Sequence, residues 1–484
     1  MKRTLLFSVS AAALFIAAPV SAQSNNSTIT QTNQYNDASV TQDGTNGMSL
    51  VTQSGDGTSD ERKNQVKVMQ SGDGADSEVE QLGSDRNEVE VVQNGASTSY
   101  VRQEGTSQGA EVRQTGDGND STVLQHGNSN QVGNALNGSS AGVQQYGNNN
   151  SSMVDQDPAS YSAANVLQDG DYNMSTVKQE VRGGAGANRS DATVVQTANY
   201  NNATINQTTD LQPARVSASI TQTDDGNTAQ IDQTAQDATG DIVQSGQSNN
   251  AMLTQGRPEP TNYQTNSQSA LIVQGGNNNQ LWAVQSGSHG SLNASQSGDH
   301  NMADINQPGF NNSSGDADDL NDVGVDQSGS YNQAYVTQAA QNSSAYVDQI
   351  GDGNMGTINQ TNGGPSDTRT RNMSASITQG GNNNESTINQ TNDFVVTDYA
   401  SNDASSNQAG DHNQSTITQN GELNLASVSQ DGSYNQSMIM QTGTSNSAMV
   451  GQGSDGNTST VTQTGDNNSA TIMQGASIAP PPAF

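Results

Sequence analysis

The chain has 484 residues, 29% of them hydrophobic and 4% aromatic, and its formal net charge is −33. That composition cannot supply a conventional apolar core, and so few cations leave no basic surface for nucleic acid or for an anionic membrane. Cysteine is absent, which removes disulfides and thiolate metal sites from the sources of stability open to the chain.

At the N-terminus, Lys2 and Arg3 precede an apolar run from Leu5 to Ala18, then Pro19 and the small residues Val20-Ser21-Ala22. This is the layout of a secretory signal peptide, predicted to span 1–22. The run is shorter than the roughly 20 residues of a membrane-spanning helix. No later stretch approaches that length, so no membrane anchor is expected. A mature chain starting at Gln23 loses Lys2 and Arg3, which takes the charge from −33 to −35.

From Gln31 onward one unit recurs about every 11 residues. Gln31, Gln42 and Gln53 open the series, and Gln285, Gln296 and Gln307, then Gln338, Gln349 and Gln360, continue it. Gln419, Gln430, Gln441, Gln452, Gln463 and Gln474 close it at an unbroken spacing of 11. Between Gln463 and Gln474 stand Gly465, Asn468, Ala470 and Ile472, giving Q-x-G-x-x-N-x-[AS]-x-[VI]-x-Q. Asn36, Asn354, Asn446 and Asn457 hold the Asn position in other units. Allowing slips of one residue, and taking Gln145 rather than Gln144, 36 such glutamines run from Gln31 to Gln474.

Asn468, Ala470, Ile472 and Gln474 occupy alternate positions, which is one face of a β-strand of about seven residues. Thr464-Gly465-Asp466-Asn467 is turn chemistry: Gly accepts positive φ, and Asx side chains bond their own backbone. One unit cannot bury its inner face alone, so two form a 22-residue coil and coils stack in parallel. The predicted fold is all-β: a parallel β-solenoid with two strands per coil over 23–475, followed by a Pro-rich tail at 476–484. Thirty-six units make 18 coils, a rod of roughly 85 Å at about 4.8 Å per layer. Amides on the inner face must be paired, and stacking identical Gln and Asn side chains pairs them in ladders. The glutamines and asparagines named above are therefore the candidate functional residues, with a structural role.

Eight spacings run from 15 to 20 residues, after Gln53, Gln125, Gln179, Gln207, Gln255, Gln307, Gln360 and Gln390. Counting from Gln31, these are anchors 3, 9, 13, 15, 19, 23, 27 and 29, all odd. Turns after odd strands share one edge of a two-strand coil, so all eight insertions are predicted on one edge, with the other kept lean.

Many acids fall in turns, as in Asp56-Gly57, Asp73-Gly74, Asp117-Gly118 and Asp352-Gly353. Asp-Gly is good turn sequence in its own right; stacked like charges would also slow premature assembly. Rows of carboxylates suit calcium, but the nonapeptide calcium-solenoid pattern is missing and the period is 11. His126, His289, His300 and His412 are isolated in predicted turns or loops, without a partner at metal-ligand spacing, so no metal or cofactor is expected. Asp326 and Asp348 are expected to stack outward one coil apart, out of line with Asp304. Without a partnering base they read as a solvated face, and no enzymatic activity is expected. The outward pairs Thr28 and Thr30, Thr416 and Thr418, and Thr460 and Thr462 suggest an ice-binding face, but Glu78 and Glu80, or Glu111 and Arg113, interrupt the array.

The unit resembles the curlin repeat, S-x5-Q-x4-N-x5-Q, with its clean match at Ser343, Gln349, Asn354 and Gln360. At Asn446, Asn457 and Asn468 an Asn stands where that pattern has Ser. The resemblance implies a subunit of extracellular curli fibres on a bacterium with an outer membrane. Such subunits are exported through a dedicated pore, assemble with a nucleator, and support adhesion and biofilm matrix. It also implies self-association through the Gln and Asn ladders and no active site. Typical curlin subunits are much shorter and lack edge loops, so major and nucleating roles both stay open. So does a monomeric adhesin rod.

Overall fold

The computed structural model describes residues 24–475 except 56–58, 60–62, 84, 133–141, 182–188, 210–214, 257–266, 288, 310–312, 315–323, 341, 363–372 and 393–400. The predicted signal peptide and C-terminal tail lie outside the described residues.

Strands alternate between two sheets as the chain advances. Asn26–Gln31 pairs with Met48–Gln53 in the first sheet, and the intervening Asn36–Gln42 pairs with Asn64–Gln70 in the second. Pairing is parallel throughout, and register sets like on like, as in Gln285 beside Gln307 and Gln430 beside Gln452. The first sheet has 18 strands. The second also has 18 rungs, two of them split into short segments: Gln131–Val132 with Val143–Tyr146, and Ser313–Ser314 with Val325–Ser328. Each odd anchor lies in a first-sheet strand and each even anchor in a second-sheet rung, with Gln145 rather than Gln144 buried.

Between the sheets runs one apolar column per face, two residues before each glutamine. Val51, Val79 and Val101 on the first sheet face Val68, Val91 and Val112 on the second, and all are fully buried. Toward the middle the column becomes Ile205, Ile220, Ile231, Ile242, Leu253 and Ile272. Ala, Ser or Gly fill the position four before the glutamine on most described strands, which then pack one large and one small side chain each; Val66 with Val68 and Val89 with Val91 pair two large ones, and Ala404 with Ser406 two small ones. Where the order reverses it reverses on both sheets, Leu281 with Ala283 and Leu292 with Ala294, which conserves volume. Gly240 serves the same end, since a Cβ there would lie 2.7 Å from Leu253 Cδ2.

All eight insertions follow first-sheet strands, and six of them fall where that sheet hands over to the second. The two longest are a correction to the sequence reading: after Gln125 and Gln307 the chain first enters the second sheet, and residues 133–141 and 315–323 interrupt the rung itself. Glycine restarts the ladder in both. Gly324 N donates to Asn293 O at 2.7 Å and Gly324 O accepts from Val347 N at 3.0 Å, while Gly142 O accepts from Val166 N at 2.9 Å. A Cβ at Gly142 would sit 2.1 Å from Glu111 O. The spacing between two glutamines counts inserted residues but does not place them within the unit.

Packing opposite Gly240 is testable. Gly240→Ala is expected to cost about 1–3 kcal/mol in urea unfolding through overpacking, with part recovered by adding Leu253→Val. Gly275→Ala, whose Cβ would meet nothing closer than 3.6 Å, is expected to stay within about 0.5 kcal/mol.

Candidate functional site

The anchor glutamines form two unbroken chains of side-chain hydrogen bonds. In the first sheet Nε2 of each donates to Oε1 of the next, from Gln31 through Gln53, Gln285, Gln307, Gln338, Gln360, Gln419 and Gln441 to Gln463, at 2.7 to 3.2 Å. The second sheet repeats this from Gln42 through Gln296, Gln349, Gln430 and Gln452 to Gln474, at 2.8 to 3.0 Å. The second amide proton crosses to the facing strand: Gln285 Nε2 donates to Ser269 O at 3.1 Å and Gln349 Nε2 to Gln333 O at 2.9 Å. Both protons of a buried amide are thereby used, one along the rod and one across it. Burying the group is tolerable only on that condition.

The asparagines run a ladder of their own. Asn354 N donates to Asn332 Oδ1 at 2.9 Å, Asn354 Oδ1 accepts from Asn384 N at 3.0 Å, and Asn354 Nδ2 donates to Gly381 O at 2.7 Å. Asn446, Asn457 and Asn468 each donate a backbone N–H to the Asn one coil below, and Asn36 Oδ1 accepts from Asn64 Nδ2 at 3.1 Å. These contacts bring successive turns close together at the unit's glycine, whose place Ala198 and Asp224 take in other units. At Gly298, with φ 98°, a Cβ would lie 2.1 Å from Gly329 O.

One column was missed in the sequence reading, and it corrects the expectation of stacked acids. On the lean edge, three residues after each second-sheet anchor, stand Asp73, Asp117, Asp171 and Asp225, then Asp299, Asp352, Asp411 and Asp455, and no two are on adjacent coils. Neutral residues separate them, among them Ala96, Asn148, Asn199, Ser330, Asn382 and Ser433. Each of these carboxylates accepts a backbone N–H from the coil below, as Asp225 does from Asn199 at 2.8 Å and Asp352 from Ser330 at 2.8 Å. At Asp73 the bonds from the Thr45 backbone and side chain hold the carboxyl below its ordinary range. The signal is in the sequence, but only once residues are counted from even anchors alone. Asp56-Gly57 lies outside the described residues.

Outward acids differ from these turn acids. Asp326 and Asp348 stack on adjacent second-sheet rungs, while Asp304 lies in the first sheet. Burial raises both pKa values, and that of Asp348 is raised further by Asp326. Glu88 is pushed up to about 7 by burial and then by Glu90, which itself pairs with Lys67 at 2.9 Å. The histidines are less isolated than expected: His126 Nδ1 lies 2.8 Å from Asp157, and His300 and His412 stack on Tyr331 and Tyr434. Thr28 and Thr30 lie beside Leu50 and Thr52, and Thr416 and Thr418 beside Met438 and Met440, so the threonine array stops within one coil in each place.

The ladders end on open coils. Asn26–Gln31 is exposed along its whole length, with Ile29 44% accessible where Val51 one coil in is 0%. The last strand, Ser469–Gln474, is half exposed on its inner face. Because every Gln bond points the same way, the first coil presents acceptors at Gln31 and Gln42 and the last presents donors at Gln463 and Gln474.

The family model described as "Curlin associated repeat" matches residues 319–351, 421–453 and 443–475, each match three 11-residue units long. No curated protein matches the chain.

Replacing Gln285 by Leu is expected to strand the Gln255 donor and the Gln307 acceptor, at about 1–3 kcal/mol for each, read from urea unfolding. The pH dependence follows from Glu88. Its folded pKa of about 7 exceeds its ordinary 4.5, so its stabilising contribution is complete below 4.5 and is lost as pH rises through about 7. Thermal unfolding of Glu88→Gln is expected to vary less with pH across that window than that of the parent chain.

Proposed function

We propose that this curlin-repeat chain is a structural subunit of an extracellular, curli-type amyloid fibre that supports adhesion and a biofilm matrix. The observation that carries the reading is the match between the two ends. Asn457, Ser459, Val461 and Gln463 close the first sheet, and Asn25, Ser27, Ile29 and Gln31 open it. Asn468, Ala470, Ile472 and Gln474 close the second sheet, and Asn36, Ala38, Val40 and Gln42 open it. Setting the last coil of one copy beneath the first coil of another continues the Asn, small, branched-apolar and Gln columns without a change of residue class. Donors meet acceptors in both Gln ladders, so the contact is head-to-tail and repeats indefinitely. Unpaired strand edges at both ends favour such addition.

The remainder of the reading rests on the sequence. The signal-peptide layout supports export, and the curlin repeats support passage through an outer-membrane pore, a nucleating partner and a place on the cell surface. The Gln and Asn ladders are the assembly residues in this account, and no residue is assigned a catalytic role.

The test is electron microscopy with thioflavin fluorescence on mature protein diluted from denaturant. Seeded, thioflavin-positive fibres are expected; soluble rods of roughly 85 Å that never elongate would make the chain a monomeric adhesin rod instead. Ile29→Asp with Val461→Asp puts two carboxylates on the facing ends. It is expected to abolish elongation while leaving a folded rod by circular dichroism.

A further inference from the structure

On the lean edge, the fourth residue after a second-sheet anchor takes a left-handed backbone conformation in every described coil but that of Ser97. Asn149 and Asn278 hold this position as turn chemistry leads one to expect. Three times, however, an aromatic residue, a tyrosine and a glycine occupy it on consecutive coils: Tyr172, Tyr200 and Gly226; His300, Tyr331 and Gly353; His412, Tyr434 and Gly456. A bulky side chain at positive φ is strained, so the turn itself does not call for these rings.

The rings stack in pairs, with centroids 5.1 Å apart for Tyr172 and Tyr200 and 4.8 Å apart for the two His–Tyr pairs. The upper ring is tyrosine each time, and Tyr200, Tyr331 and Tyr434 are 64%, 61% and 64% exposed. Above each lies glycine, which puts no side chain over the ring. At about 4.8 Å per layer, the next side chain over Tyr200, that of Ser248, is about 9.6 Å up, which leaves the height of one planar ring. A Cβ on Gly226 would meet only Ser248, at 3.5 Å from its Oγ. Over Tyr331 the gap is narrower, because Asn383 Oδ1 comes within 2.7 Å of the same point at Gly353.

The residue before each glycine is an aspartate. Asp225, Asp352 and Asp455 each accept the backbone N–H of the residue just before the tyrosine, at 2.8 Å, through Oδ1. Their Oδ2 atoms accept no hydrogen bond among the described residues. Beyond Arg215 the sequence has only Arg257, Arg369 and Arg371 as lysine or arginine cations, all outside the described residues, so no described lysine or arginine on this half of the rod pairs with those carboxylates; at Asp225, Asn199 Nδ2 also donates to Oδ1, at 3.2 Å.

We propose that each of these tyrosine, glycine and aspartate sets is a binding slot for a planar organic cation. The cation's ring lies on the open tyrosine face, where ring quadrupole and positive charge attract, and its charge is set against the aspartate. The slots belong to a single rod and do not depend on whether rods polymerise.

The experiment titrates mature protein with N-methylquinolinium, followed by saturation-transfer NMR. Gly226→Asn with Gly353→Asn and Gly456→Asn fills the slots with a residue native to the same column, and is expected to weaken binding by about threefold or more. Tyr200→Ala with Tyr331→Ala and Tyr434→Ala is expected to do the same, and the neutral 2-methylnaphthalene is expected to bind more weakly than the cation. Equal affinity of a folded asparagine variant, or equal binding of the neutral ring, would overturn the proposal. If circular dichroism shows the asparagine variant unfolded, the alanine variant decides in its place.

Discussion

Every coil is tied to the next by a buried glutamine whose amide must place both of its protons. One goes along the axis to the same residue one coil on, and the other goes across to the facing strand, as Gln285 does with Gln307 and Ser269. That condition explains the repeat. The partner of a Gln at this depth has to be another Gln in register, and a slip of one residue would turn the whole inner face outward. Hydrophobic burial supplies the contact between the sheets, through Val, Ile and Leu, but it would tolerate exchange among these residues. The amide tolerates no such exchange, so the Gln position is kept from Gln31 to Gln474 while the apolar positions vary.

The same constraint sorts the two edges. On the lean edge three columns stack beside one another: asparagine side chains on the backbone above and below, aspartates alternating with neutral residues, and left-handed turn residues whose N–H groups bond the coil beneath, as Tyr200 N does to Asp171 O at 3.0 Å. An insertion there would break all three. Extra residues enter after first-sheet strands or, at 133–141 and 315–323, within a second-sheet rung that resumes at a glycine. Alternation of aspartate with neutral residues also lets a chain of net charge −33 stack its turns without adjacent carboxylates in that column.

Much of this was legible in the sequence because the period is short and the key residue is polar. A glutamine every 11 residues on an alternating strand is conspicuous, and the parity of the long spacings was enough to assign all eight to first-sheet strands. What escaped was whatever depends on comparing every second unit. The aspartate column and the tyrosine–glycine pairs become visible only when units are separated by sheet, since adjacent units in sequence point to opposite edges. Mid-rung insertions were hidden for another reason: Gly142 and Gly324 differ from other glycines only in the backbone they approach. Histidine neighbours such as Asp157 for His126 lie 31 residues away, outside any local motif.

The account stands on the one-way glutamine ladder continuing from copy to copy. The direct measurement is solid-state NMR on assembled material in which copies carrying ¹⁵N at the glutamine side chains are mixed with copies carrying ¹³C there. A weak transfer between copies, matching the junction pairs Gln463 to Gln31 and Gln474 to Gln42 and abolished by Gln31→Leu with Gln42→Leu, is the predicted result. Strong transfer from most of the anchors, as side-by-side pairing of whole chains would give, would contradict it.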